Sequence, residues 1–472
     1  MPPIDQTERE IFKLIIVRRH GSEILLCSKD SRLALPSVEI LAYERQALQL
    51  TTKVRHTTGM KVDCLFLPEI TAPKSNESTT RYAVMETVDD DGQSPIGCHW
   101  VRRGGDISQK EYSSSDADAI SQSLRQFELN ATTSKAGPFT KTGWVRELLA
   151  WTQKQLDTAE LRLNGNFQQF NASPNFSLIR LETNETAVWF KATGEPSAHE
   201  LGVTLRLAQL FPLSLPRVLG VHQSWNGWLS EELSETTLDQ FPDLLVWESA
   251  AEQLAQLQVA SIGRSSALID ARCKDLRLSR LADFVPAFLE RMAFLMSLQE
   301  KQSPAALTAS QLDSLGTRLL NSLFLLHRIG LPDTLGHMDF NPGNIVVSGN
   351  RCVFLDWAEG CVTHPLFTLE YLLEHARRCL PETKSAPVRI ATAYVRPWRA
   401  LFSLDDLRKA LQVSPLLAVF ACALATTNWQ SPDLSGGFRQ AGYLRSLARR
   451  MYHEAARIHE ADNPVTQTLC LV

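Results

Sequence analysis

Apolar and polar positions divide the chain into a strand-rich first half and a helix-rich second half. Phe12–Arg19 and Glu23–Cys27 are short apolar blocks on either side of His20-Gly21-Ser22, the pattern of a hairpin. After Leu33-Ala34-Leu35-Pro36 the spacing predicts a helix from Ile40 to Thr58, with Leu41, Leu48 and Val54 on one face and Gly59 as its stop. Strands are expected at Val62–Leu67, Tyr82–Thr87 and Cys98–Val101, with a turn at Asp89–Gly92. Residues 104–137 are polar around one short helical stretch, Ile120–Leu129. A helix at Trp144–Leu161 then leads to strands at Leu178–Leu181 and Ala187–Lys191. Next come a helix at Ala198–Leu210 and strands at Arg217–Val221 and Trp228–Glu232. From Trp247 onward the pattern is helical, interrupted around Gly336–Trp357, and no repeat of fixed period is present.

Composition narrows the class. The chain has 472 residues, more than one ordinary domain, and 44% of them are hydrophobic, so a sizeable core is expected rather than disorder. A net charge of −4 gives no basic footprint for nucleic acid. The longest apolar run, Leu416–Ala425, is shorter than the roughly 20 residues a membrane span needs, and the first residues lack a signal-peptide pattern. Neither a membrane nor a nucleic-acid partner is expected. The nine cysteines are scattered, odd in number and never spaced as CxxC. They read as free thiols of a cytoplasmic protein, not as a zinc site or a disulfide framework.

The chemistry concentrates in His337-Met338-Asp339-Phe340-Asn341-Pro342-Gly343-Asn344, followed by apolar Ile345–Val347, a turn at Ser348-Gly349-Asn350, apolar Val353–Leu355, and Asp356-Trp357. Phosphoryl transfer asks for a carboxylate that takes the proton of an attacking hydroxyl. It also asks for an amide oxygen and a second carboxylate to hold Mg²⁺ against the phosphates. Asp339 and Asn344 share one loop, Pro342-Gly343 turns the chain between them, and a two-strand hairpin would return Asp356 to Asn344.

This stretch resembles the aminoglycoside phosphotransferase and choline kinase family, which shares the protein-kinase-like fold. The family pattern is H-G-D-x-H-P-G-N followed by D-W; here Met338 replaces the Gly and Asn341 the second His. Those departures bear on substrate class more than on activity. The resemblance implies Asp339 as catalytic base and Asn344 and Asp356 as magnesium ligands, with His337 bracing the loop. It also implies Lys191, at the end of an apolar strand, as the ligand of the α/β-phosphates and Glu200 as its ion-pair partner. The segment Asn171–Ser177, including Ser173 and Ser177, would cover the phosphates without a G-x-G-x-x-G pattern. The backbone at Glu231, Glu232 and Leu233 would meet the adenine. Glu370, Glu374, Asp405 and Asp406 could meet a cationic acceptor, although such charges are more often solvated helix faces, and Trp398 and Trp429 read as core.

The N-terminal order of strands, Leu35-Pro36, helix, Gly59-Met60 and strand resembles a Nudix domain. Aligned to the box G-x5-E-x7-R-E-U-x-E-E-x-G-U, Val38 stands at the first Gly, Glu44 at the first Glu, Val54 at U, and Gly59 and Met60 at the end. Lys53, His56 and Thr57 occupy the metal-binding glutamate positions and Thr52 that of the Arg, so the fold is expected without the hydrolysis.

The expected architecture is α+β: a Nudix-like α/β domain lacking its catalytic glutamates (1–105), a helix and linker (106–141), a kinase-like β-rich lobe (142–235) and a mainly helical lobe (236–472). The expected activity moves the γ-phosphate of ATP, with Mg²⁺, to a hydroxyl of a small-molecule acceptor. The alternatives are a ligand-binding pseudokinase, with the Nudix-like domain as sensor or partner-binding module, and a pyrophosphohydrolase. Acceptor identity and oligomeric state stay open.

Overall fold

The computed structural model describes residues 8–29, 32–68, 80–89, 94–102, 114–132, 137–157, 160–233, 236–426, 429–430 and 438–458. Most of the turn expected at Asp89–Gly92, the polar stretches 104–113 and 133–136, and Cys470 lie outside these residues. The chain forms two compact units, Met1–Leu201 with Arg217–Glu232, and Gly202–Pro216 with Leu233–Val472.

The first unit begins with β1 (Arg9–Arg18), β2 (Glu23–Lys29), β3 (Arg32–Ala34), β4 (Ser37–Leu41), α1 (Gln46–Thr58), β5 (Val62–Phe66), β6 (Thr80–Thr87) and β7 (Cys98–Arg102). These strands make one mixed sheet, ordered β3-β2-β1-β6-β5, with β4 on β1 and β7 on β2; β1 and β6 run parallel. Then follow α2 (Ser114–Thr132), α3 (Trp144–Leu156), β8 (Leu163–Gln169), β9 (Ser177–Thr183), β10 (Val188–Ala192), the start of α4 (Glu200–Leu210), β11 (Val218–His222) and β12 (Gly227–Glu231). A second, antiparallel sheet has the order β11-β12-β10-β9-β8.

The helix expected from Ile40 begins only at Gln46. The residues before it form β4, paired with β1 from Arg9↔Leu41 to Lys13↔Ser37, because this register seats Ile40 in the core. The buried face of α1 is Ala47, Leu50, Thr51 and Val54; Leu48 falls half-buried beside it. Gly59 ends the helix as expected, in the left-handed conformation (φ 74°), its N–H donating to Arg55 O. β8 was not expected: Leu-Asn-Gly-Asn-Phe-Gln-Gln has no apolar alternation, and pairing with β9 makes it a strand.

The cysteine reading needs one correction. Cys27 and Cys98 face each other across β2 and β7 and form a disulfide, although 71 residues separate them. Their pairing removes the cysteine argument for a reducing compartment. Cys64, Cys273, Cys352 and Cys361 are free and buried.

One hydrophobic core joins the two sheets of this unit. Ile15, Val17 and Val84 share it with Phe139, Trp144, Phe190 and Leu229, and α2 adds Ala119, Leu124 and Phe127. Below them Glu86, on β6, accepts from Gly143 N–H (2.6 Å) and pairs with Arg146 (2.8 Å).

The second unit carries the remainder of α4 and α5 (Leu244–Ala260), α6 (Ser265–Asp270), β13 (Lys274–Leu276), α7 (Leu278–Ser297), α8 (Ala309–Ile329), β14 (Thr334–His337), β15 (Ile345–Ser348), β16 (Arg351–Phe354) and β17 (Gly360–Thr363). It ends with α9 (Pro365–Cys379), α10 (Ala386–Trp398), α11 (Leu404–Ala425) and α12 (Phe438–Arg457). Among the described residues α11 alone has the length and apolarity of a membrane span, and most of it is buried in the core of this unit. Trp398 and Trp429 belong to that core.

Candidate active site

The catalytic loop is built around His337, the last residue of β14. Gly336 before it admits no side chain, since a Cβ there would lie 2.4 Å from Thr363 Cγ2. The His337 N–H donates to Thr368 Oγ1 (3.0 Å). Asp339 N–H donates to the ring's Nδ1 (3.1 Å), which assigns the proton to Nε2, 3.1 Å from Leu355 O. Burial pushes the His337 pKa down, so the ring stays neutral; the Leu355 carbonyl, Asp356 and Asp339 pull the other way. Both exposed carboxylates therefore lie close to one ring, and His337 is the brace the sequence implied.

Asn341 N–H and Asn344 Nδ2 both donate to Asp339 O (2.9 and 3.1 Å). The bond from its amide nitrogen ties the Asn344 side chain back to the loop. The β15–β16 hairpin, in register Val346↔Val353, returns the chain so that Leu355 N–H donates to Asn344 O (2.8 Å). Asp356 follows in the left-handed conformation (φ 61°, ψ 61°), a strained backbone for a residue with a side chain. An amide oxygen and a carboxylate are hard donors that suit magnesium. Among the described residues no three His, Cys, Asp or Glu side chains converge into a metal site of their own, so phosphate or water oxygens would have to complete the shell.

In the first unit, Lys191 Nζ lies 2.5 Å from Glu200 Oε1, and Glu200 is 2% exposed. The lysine also lies over the Trp228 ring, 5.7 Å from its centroid. β8 and β9 are joined by residues 170–176, so Asn171 and Ser173 lie in the turn expected to cover phosphates. Ser177 does not serve there. It opens β9 on the face of Ile179 and Leu181 with its Oγ buried, whereas Lys191, opposite Leu178, lies on the other face. The Glu231 N–H donates to Arg217 O (3.1 Å), so that donor is not offered to a base. The Glu232 carboxylate holds Arg180 (2.5 and 3.0 Å) and Ala187 N–H (3.2 Å), which leaves backbone alone for a base at Glu232 and Leu233. The chain passes from the first unit to the second between these two residues.

The carboxylates considered for a cationic acceptor all have partners. Glu374 pairs with Arg378 and with Arg450 (2.5 Å), Asp405 with Lys409 (2.5 Å), and Asp406 accepts from Ser403 Oγ (2.6 Å). Glu370 is half-buried, accepts from Ser414 Oγ (2.6 Å), and burial pushes its pKa to about 7. Sequence reasoning missed His375, half-buried on α9. Burial and Arg378 push its pKa down while Glu374 and Asp339 raise it, which puts it within electrostatic reach of Asp339. It lies 36 residues beyond Asp339, and no local motif marks it.

Residues 192–402 match the model of the phosphotransferase enzyme family, a span that opens one residue after Lys191 and contains Glu200, Asp339, Asn344 and Asp356. This region is similar to that family, and the N-terminal sheet lies outside the matched span. No curated protein matches the chain. Among solved structures it is similar to an ethanolamine kinase of Plasmodium vivax (13% identity, 77% of this chain and 98% of that one, TM-score 0.45). It is also similar to a choline kinase of Streptococcus pneumoniae (16%, 66% and 99%, 0.39) and a macrolide 2′-phosphotransferase of Brachybacterium faecium (14%, 64% and 98%, 0.42).

Proposed function

We propose that this kinase transfers the γ-phosphate of ATP, with Mg²⁺, to a hydroxyl of a small molecule. The observation that carries the reading is the loop around His337, where one buried neutral ring is braced beside the Asp339 and Asp356 carboxylates and the Asn344 amide nitrogen is tied back. Asp339 orients the acceptor hydroxyl and takes its proton as the new O–P bond forms. Asn344 Oδ1 and Asp356 would hold the magnesium, which when bound neutralises charge on the phosphates. Lys191, fixed by Glu200, holds the α/β-phosphates, and the backbone of Glu232 and Leu233 meets the base. We read the N-terminal sheet and α1 as Nudix-like in fold and without hydrolysis: Lys53, His56 and Thr57 carry no carboxylate, and Glu44 stands exposed on the turn before α1.

Asp339→Asn tests the assignment. Phosphoryl transfer, measured by mass gain of acceptors in a metabolite extract, should fall at least about 10²-fold while ATP binding persists. Undiminished transfer would falsify the role of Asp339. Mg–ATP binding with no transfer by the wild-type protein would favour the pseudokinase.

A further inference from the structure

The turn between β8 and β9 is held along its length by residues outside the kinase-like sheet. Gln169, at its entry and 1% exposed, accepts from Cys64 N–H (2.7 Å) and donates to Cys64 O (2.8 Å), so its amide continues the edge of the N-terminal sheet. The Arg45 guanidinium lies over the Phe170 ring (5.1 Å), and Ala172 packs against the N-terminal core of Phe12, Leu14 and Leu50. The tip, Pro174-Asn175, is gripped between two glycines. A Cβ on Gly137 would lie 1.8 Å from Pro174 O and 2.3 Å from Asn175 Oδ1; one on Gly194 would lie 2.4 Å from Asn175 Cβ. Gly137 has φ −62° and ψ 157°, a conformation open to any residue. The close approach, not the backbone angle, is what requires a glycine there. Within the turn, Asn171 Nδ2 donates to Phe176 O (2.6 Å) and its Oδ1 accepts from Leu178 N–H (2.7 Å), closing the base of the loop.

We propose that the N-terminal module sets the position of the nucleotide-covering turn, and that Gly137 is its main positioning residue. The proposal rests on the reading of residues 170–176 as the phosphate cover. A side chain at position 137 meets backbone, which cannot rotate away, so Pro174-Asn175 must be displaced. Backbone N–H groups that face phosphate oxygens lose their contacts when displaced by a fraction of an ångström to an ångström. The adenosine portion of the nucleotide, which the turn does not cover, is bound as before.

Calorimetry on the full chain decides it, with Mg–ATP and adenosine as separate probes of wild type, Gly137→Ala and Gly220→Ala. The last is a crowding control elsewhere in the unit, where a Cβ first meets the flexible Gln155 side chain. Gly137→Ala should weaken Mg–ATP about tenfold, equivalent to about 1.4 kcal/mol, and leave adenosine unchanged. Gly220→Ala should change neither. Equal Mg–ATP affinity in folded Gly137→Ala overturns the proposal alone. Parallel loss of both probes also overturns it, since that marks general damage. A wild-type protein that binds adenosine but gains nothing from the phosphates overturns the phosphate-cover reading, and the proposal with it.

Discussion

The helix α1 and the catalytic loop after β14 make an instructive pair. On the reading proposed above, both keep the residue spacing of a phosphate-handling motif, but only the loop keeps the side chains that chemistry needs. Around His337 the polar groups order one loop that carries hard oxygens: Asn344 Nδ2 donates to Asp339 O, Asn341 Nδ2 donates to Asp339 Oδ1 (3.4 Å), and the Asp339 and Asp356 side chains are exposed. On α1 the corresponding side chains bond inward or to their own helix. Lys53 Nζ donates to Glu39 O, and Thr57 Oγ1 donates to Lys53 O. On the reading proposed above, motif spacing survives the loss of a site, and hard oxygens gathered on one loop are what mark chemistry.

The largest effect that could break this comparison is at Asp356. Asp356→Ala removes a carboxylate and keeps the hairpin. Transfer should fall about 10³-fold or more, the scale on which charge stabilisation acts in phosphoryl transfer, while Glu44→Ala on the N-terminal side should leave it unchanged. Loss of transfer in Glu44→Ala, or its persistence in Asp356→Ala, would reverse the assignment of chemistry to the two regions. Initial rates at saturating Mg–ATP measure both.

The difference also explains what was legible in advance. The arrangement after β14 could be read because Asp339 and Asn344 precede, and Asp356 follows, one short hairpin, where local spacing decides geometry. Lys191 and Glu200 could be read for the same reason. What escaped depends on contacts between distant segments. β8 is a strand only by pairing, Ile40 is strand and not helix because β1 lies beside it, and Cys98 meets Cys27 because β7 returns to β2. Ser177 was misplaced because strand alternation, invisible until β9 is registered against β10, puts it on the core side. His375 reaches Asp339 only through the packing of α9.

Buried charge sharpens the comparison further. In the first unit Asp63 and Glu86 stand opposite each other on β5 and β6. Burial, and then Glu86, hold the Asp63 carboxyl well above the usual range, so Asp63 is protonated while Glu86 stays paired with Arg146. Arg146→Met would strand Glu86 as a buried charge and should cost about 3 kcal/mol in urea unfolding. Per folded molecule, turnover should hardly change. In the second unit no cation among the described residues is bonded to Glu370, although Arg377 and Arg450 pull its pKa down. Its folded pKa of about 7 is above its ordinary 4.5. Its favourable contribution is therefore complete below the unfolded value and is lost as pH rises through 4.5 to 7. Glu370→Gln should remove that pH dependence and raise stability at pH 8 by up to about 3 kcal/mol, with no gain at pH 4. Melting curves at the two pH values check it, and equal shifts at both would refute the assignment.

The smallest expected effect tests whether α1 has lost its chemistry by substitution alone. Restoring the box with Lys53→Glu, His56→Glu and Thr57→Glu supplies the missing carboxylates, and the simplest expectation would be renewed hydrolysis of nucleoside diphosphate derivatives. The structure argues otherwise. Thr51, Thr52 and Arg55 line a cavity of about 120 Å³ closed on its other side by Phe167 and Gln168 of β8, while Arg55 donates to Asn166 and Lys61 to Gly165 O. A strand of the kinase-like sheet thus lies along the Thr51, Thr52 and Arg55 face of α1, and positions 53, 56 and 57 lie outside that cavity. The new carboxylates would also face the negative end of the helix dipole, at a cost of about 1 kcal/mol. The triple variant should therefore show no phosphate release and a slightly lower melting temperature. Phosphate release that depends on Mg²⁺ and disappears on adding Glu44→Ala would mean that α1 differs from the loop after β14 in its side chains alone.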